Sequence, residues 1–170
     1  MTEQISTLTT FYKGWENHQQ ALVKTIASLS SEQLALPPAA HHRSIGELLA
    51  HMIDARLSWF SSWMGEGSSD LAHWNDDEQA MHRTTELVTM FEETWHVIFS
   101  ALTRWTSSDL KQLISPPASH QAWLQKQGFE EEPAHTRQWI VWHVMEHEIH
   151  HGGELSLALG MNGVDSFYTW

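Results

Sequence analysis

Between Trp139 and Leu155 the chain reads WIVWHVMEHEIHHGGEL, and His143, His147 and His151 fall at every fourth position of it. A helix advances about 100° per residue, so residues four apart differ by only ~40° and sit one turn above each other. On that helix Ile140, Val144 and Ala158 share the side of His147. The imidazoles therefore face a packed interior, with His150 and Glu154 on the polar flank of the same face. Such a face has to be covered by other elements that tolerate a cluster of imidazoles. Neutral rings satisfy one another only in part, and protonated rings repel in a dry site. A divalent cation resolves the conflict. Each ring gives it a lone pair and donates its other N–H to a nearby acceptor.

The rest of the chain supplies helices to cover that face. Leu8, Phe11, Trp15, Leu22 and Ile26 recur mostly three or four residues apart and predict a helix from Ile5 to Leu29, stopped by Pro37-Pro38. Ser44-Ile45-Gly46-Glu47 has the spacing of a capping box and starts a second helix that runs to Met64, where Gly65 and Gly67 end it. A third helix is expected from Glu78 to Trp105, and a fourth from Thr136 to Leu159. Ser107–Pro133, with Pro116-Pro117 and the acidic run Glu130–Glu132, reads as a long irregular loop, a lid or wall of a site. The tail, with Phe167, Tyr168 and Trp170, is expected to pack back on the body, and Trp15, Trp59, Trp95, Trp139 and Trp142 to serve mainly as core. Strand signals are weak. The expected fold is all-α, a single-domain four-helix bundle over residues 1–170.

Composition narrows the function. A net charge of -12 with neutral histidines disfavours nucleic acid and anionic membranes as partners. No apolar run reaches the length of a membrane span, and the N-terminus has no basic start followed by an apolar stretch, so the expectation is a cytoplasmic protein. Cysteine is absent, which removes disulfides, thiolate ligands and a cysteine nucleophile. Thirteen histidines in 170 residues are the unusual resource.

Two histidines on one helix are too few for tight metal binding, so a third ligand has to come from another element. His51 is the best placed. It lies inside the second helix beside Leu48, Met52 and Ala55, with Glu47 and Asp54 on its polar flank. His41 and His42 precede that helix, and His73, His82, His120 and His135 fall in or near loops.

The string Ser-Ile-Gly-Glu-Leu-Leu-Ala-His51, followed far along the chain by His147-x-x-x-His151 and then Glu154-Leu155, resembles the DinB/YfiT-like family of metal-dependent enzymes. The resemblance covers essentially the whole chain. It implies a four-helix bundle with His51, His147 and His151 as the metal ligands. The chain departs from the family pattern at Gly152, where an arginine is usual. The resemblance also implies thiol-dependent transferases and isomerases that use bacillithiol, mycothiol or glutathione. Iron-dependent relatives carry extra domains that have no counterpart here.

Three imidazoles leave at least one coordination position open, as catalytic sites do. Zinc or nickel suits such ligands, with iron or manganese also compatible. Glu154, His143 and His150 are the candidates for proton transfer or for orienting a ligand, and Asp54 for orienting His51. With no cysteine of its own, the protein needs a low-molecular-weight thiol as cosubstrate for thiol chemistry on a small molecule. The alternative is a non-enzymatic, stress-related bundle that binds a metal or ligand. A homodimer is expected, since ten tryptophans leave material for an apolar interface.

Overall fold

A computed structural model describes residues 7–39, 42–68, 71, 74 and 82–165. His41, His73, the expected helix start at Glu78, and Phe167, Tyr168 and Trp170 lie outside the described residues. The structure is an all-α helical bundle with one small antiparallel strand pair.

The helices are α1 (Thr7–Phe11), α2 (Lys13–Ile26), α3 (Ser31–Leu34), α4 (Ile45–Arg56), α5 (Thr84–Arg104), α6 (Ala118–Gln127) and α7 (Arg137–Met161). The first expected helix is broken at Tyr12, whose φ of -93° and ψ of 20° interrupt it. The break lets both Leu8 and Tyr12 turn into the core against α5. The capping box at Ser44 forms as its sequence implies. The Ser44 Oγ accepts from the Glu47 amide at 3.2 Å, and the Ser44 amide donates to Glu47 Oε2 at 2.6 Å. Beyond Arg56 the second helix widens into a π-helical segment, Leu57–Trp63, a form common near functional sites. Gly67 then closes the turn at φ +83°, and a Cβ there would lie 2.8 Å from Val97 Cγ2 on α5. The third long helix is described from Thr84. The fourth begins at Arg137, with Thr136 as its N-cap accepting from the Trp139 amide at 3.2 Å.

The region 107–133 is not an irregular loop. It holds a short 3₁₀ turn at Asp109–Lys111, strand β1 (Leu113–Ile114) and helix α6. Strand β2 (His135–Thr136) pairs antiparallel with β1, Leu113 opposite Thr136 and Ile114 opposite His135. Helix α6 escapes a periodicity search because only Leu124 on it is buried. It follows Pro117 and ends at Gly128 in the left-handed conformation.

The four long elements α2, α4 with its π segment, α5 and α7 make the bundle, and α4 packs most extensively on α7. The core has two apolar halves. One gathers Leu22 and Ile26 of α2, Leu49, Met52 and Ile53 of α4, Leu87 and Phe91 of α5, and Leu155 and Leu159 of α7. The other gathers Trp15, Phe60, Ile98, Leu102, Val141 and Val144. Of the expected core tryptophans Trp15 is buried, and Trp59 and Trp95 are half-buried. Trp139 and Trp142 are instead exposed.

Candidate metal centre

Helices α4 and α7 run antiparallel. His51 meets His147 and His151, while Trp59, further along the same seam, meets His143 and Trp139. The ring centroids of His51 lie 4.9 Å from both His147 and His151, and those of His147 and His151 lie 4.3 Å apart. One ring nitrogen from each of the three falls within 4.8 Å of the others. His51 and His147 are half-buried, and His151 is buried.

The nitrogens suit a cation. The Nε2 atoms of His51 and His147 face each other at 3.1 Å. Two ligand nitrogens of a tetrahedral zinc site are about 3.3 Å apart, so these two are already near the spacing one ion requires. Without a cation the pair can share one proton at best, and the buried Nδ1 of His147 has no hydrogen-bond partner among the described residues. His151 is held from its other side. Its Nδ1 lies 2.6 Å from Glu154 Oε2, the carboxylate–histidine arrangement that orients metal-binding imidazoles. The same carboxylate reaches His150, with Oε1 3.4 Å from Nε2. The bond to His151 holds the Glu154 carboxyl below the usual carboxylate range.

His143 stays outside the triad. Its ring stacks on Trp139 at 4.8 Å and meets Trp59 edge-on at 5.0 Å. Trp139 stacks in turn on His135 at 3.7 Å, and Trp63 packs against Trp59 at 4.4 Å. An aromatic wall thus continues the seam beyond the imidazoles. Asp54 is half-buried, three residues past His51 on α4.

Burial pushes the His51 imidazole down to about 4, helped by the charges of Arg43 and His151. Burial likewise pushes His147 down to about 4, with His151, His51 and His143 adding to it. Both rings are neutral at pH 7, the state in which imidazole binds metal. The shift also has a stability sign. The unfolded chain takes up these protons below the ordinary value of 6.5, and the folded chain only near 4. Stability of the metal-free protein is therefore full above pH 6.5 and is lost as pH falls from 6.5 towards 4. The expected loss is about 3 kcal/mol for the pair, roughly half of two full shifts because both rings are partly solvated. Urea unfolding of the metal-free protein at pH 7 and pH 4 measures it. A His51→Gln/His147→Gln protein should show a flatter profile, and an equally steep one would place the acid sensitivity elsewhere.

Sequence reasoning missed Arg56 and Glu148, a buried ion pair between the two helices that carry the histidines. Each interrupts an apolar stripe, Ile53–Arg56–Phe60 and Val144–Glu148–Leu155, but neither stripe by itself names the partner.

A helical bundle that gathers three imidazoles on one seam belongs to the class of helical proteins suited to holding a divalent metal. The chain belongs to the DinB family, whose pattern it matches over residues 1–169. Its fold is similar to that of a DinB-like protein from Bacillus cereus ATCC 10987, with a TM-score of 0.68 at 16% identity over 94% of this chain and 95% of that one. It is also similar to a conserved protein from Enterococcus faecalis, with a TM-score of 0.63 at 14% identity over 92% and 99%. No curated protein matches the chain in sequence. No helix among the described residues is long and apolar enough to cross a membrane.

Proposed function

We propose that His51, His147 and His151 hold one divalent metal ion, zinc or nickel, and that the protein is a metal-dependent enzyme that transfers an external thiol to small electrophiles. The observation that carries this reading is the convergence of three ring nitrogens, from two helices, within 4.8 Å of one another. No carboxylate joins those three among the described residues, so any fourth ligand comes from outside the cluster.

A metal bound there lowers the pKa of a thiol or water that coordinates it. The chain's own residues do the rest. His51 and His147 enter as neutral donors. Glu154 accepts the Nδ1–H of His151 and fixes that ring's direction. Ionised and half-exposed at the rim, Glu154 with His150 can take the proton that the thiol gives up. The deprotonated sulfur would form a C–S bond to the electrophile as the leaving group departs with its bonding pair. The wall of Trp59, Trp139 and His143 offers an aromatic face beside the imidazoles. The thiol has to be a cosubstrate, because the chain has no cysteine.

The test strips untagged protein with a chelator, reloads it with zinc or nickel, and follows monobromobimane conjugation to bacillithiol, mycothiol and glutathione. Conjugation should appear on loading and vanish on chelation. A protein that loads one metal per chain yet conjugates none of the three thiols is a metal-binding bundle without this activity. A protein that loads no metal defeats the site itself.

A further inference from the structure

The two apolar halves of the core are separated by one polar layer, and all four long helices contribute to it. Gln19 comes from α2, Arg56 from α4, Thr94 from α5 and Glu148 from α7, and each is at least 97% buried. The Arg56 guanidinium donates from Nε to Glu148 Oε1 at 2.6 Å and from Nη2 to Glu148 Oε2 at 2.9 Å. Nη2 also donates to Gln19 Oε1 at 2.7 Å, and Nη1 to the Phe91 carbonyl at 3.0 Å and to Thr94 Oγ1 at 3.2 Å. Trp15 Nε1 donates to Glu148 Oε2 at 2.8 Å, and Gln19 Nε2 to the Phe91 carbonyl at 3.0 Å. Phe91 also packs under the guanidinium, its ring centroid 4.9 Å from Cζ.

Stability alone does not account for such a layer. A buried ion pair is often no better than well-packed apolar residues of the same volume, and its best-attested use is to fix register. Here the register it fixes is that of the imidazoles. On α7, Glu148 directly follows His147 and points about 100° around the helix from it, towards the bundle axis. On α4, Arg56 lies five residues past His51, about 140° around. The α4–α7 pair is therefore gripped on two sides, by the ion pair inside and by the histidines at the seam. A slip of α7 by one residue moves it about 1.5 Å and turns it about 100°. That slip would tear both guanidinium–carboxylate bonds and strand two charges in the core.

We propose that the Arg56–Glu148 pair, with Gln19, Thr94 and Trp15, is a positioning device that sets the slide and roll of α7 on α4 so that His147 and His151 meet His51. The inference rests on the metal reading of the seam. Its consequence is that metal affinity depends on residues that touch no metal.

The test uses Co²⁺ as the probe and a protein in which the layer is made apolar without leaving orphaned groups, W15F/Q19L/R56M/E148M. Two readouts are taken, the urea midpoint of the metal-free protein and the Co²⁺ Kd with its visible absorption bands. The expected result is a midpoint at or above that of the unsubstituted protein, with Co²⁺ binding at least about 10-fold weaker and altered bands. Unchanged affinity and bands in the folded variant overturn the proposal. Should that variant fail to fold, Glu148→Asp decides. It keeps the charge but shortens the arm by one methylene, so α7 has to shift or lose the two-point contact. Co²⁺ affinity at least about 10-fold weaker supports positioning, and affinity equal to the unsubstituted protein's overturns it. Absence of Co²⁺ binding by the unsubstituted protein would count against the metal site and not against the layer.

Discussion

Replacing His147 with alanine is expected to weaken zinc binding by more than about 100-fold. Loss of a group that merely orients a ligand costs 10–100-fold, and His147 is proposed to be a ligand itself. Its Nε2 faces that of His51 at 3.1 Å, and its ring centroid lies 4.3 Å from that of His151. Competition against a chromophoric chelator measures the change. His143→Ala is the control. That ring is engaged with Trp139 and Trp59 and lies outside the triad, so its removal should leave the affinity within about 3-fold, well short of losing a group that orients a ligand. A His147→Ala protein that keeps one tightly bound zinc would place the metal elsewhere.

Glu148→Leu should be strongly destabilising. It leaves the Arg56 side chain, 1% exposed, charged in the core without its carboxylate. Breaking a buried pair from one side typically costs about 3–5 kcal/mol. For a chain of this size that lowers Tm by about 10 °C. Glu16→Ala removes the exposed ion pair with Lys13 and should cost less than about 0.5 kcal/mol. Calorimetry on both proteins compares them. Equal losses would mean that burial of the Arg56–Glu148 pair is not what makes it matter.

These two positions differ in how visible they are from sequence. His147 and His151 announce themselves, because a four-residue repeat among Ile140, Val144 and Ala158 is a local property of one helix. Those three apolar residues are fully or almost fully buried, as the periodicity required. His51 was reachable through its place inside a capped helix and through the family pattern. Glu148 was hidden for a specific reason. A charge on a helix is ordinarily a solvated one, and only its distant partner Arg56, 92 residues earlier, makes an interior place tolerable. The same holds for Gln19 and Thr94. Helix α6 was hidden for the opposite reason, since it buries only Leu124 and leaves no stripe to read.

Local rules in the sequence alone therefore determined the helix-rich class, the capping box that starts α4, and the shared face of His147 and His151. These follow from spacing within single elements, where a side chain's direction is set by the helix that carries it. The tertiary structure alone decided that α4 and α7 run antiparallel at the register that brings His51 to the pair. It also decided that the core is split by a polar layer, and that Leu57–Trp63 widens to line the seam with Trp59 and Trp63. Those outcomes depend on contacts between segments far apart in the chain. Buried charge is affordable only where such contacts satisfy it, and no periodicity within one segment encodes its partner in another.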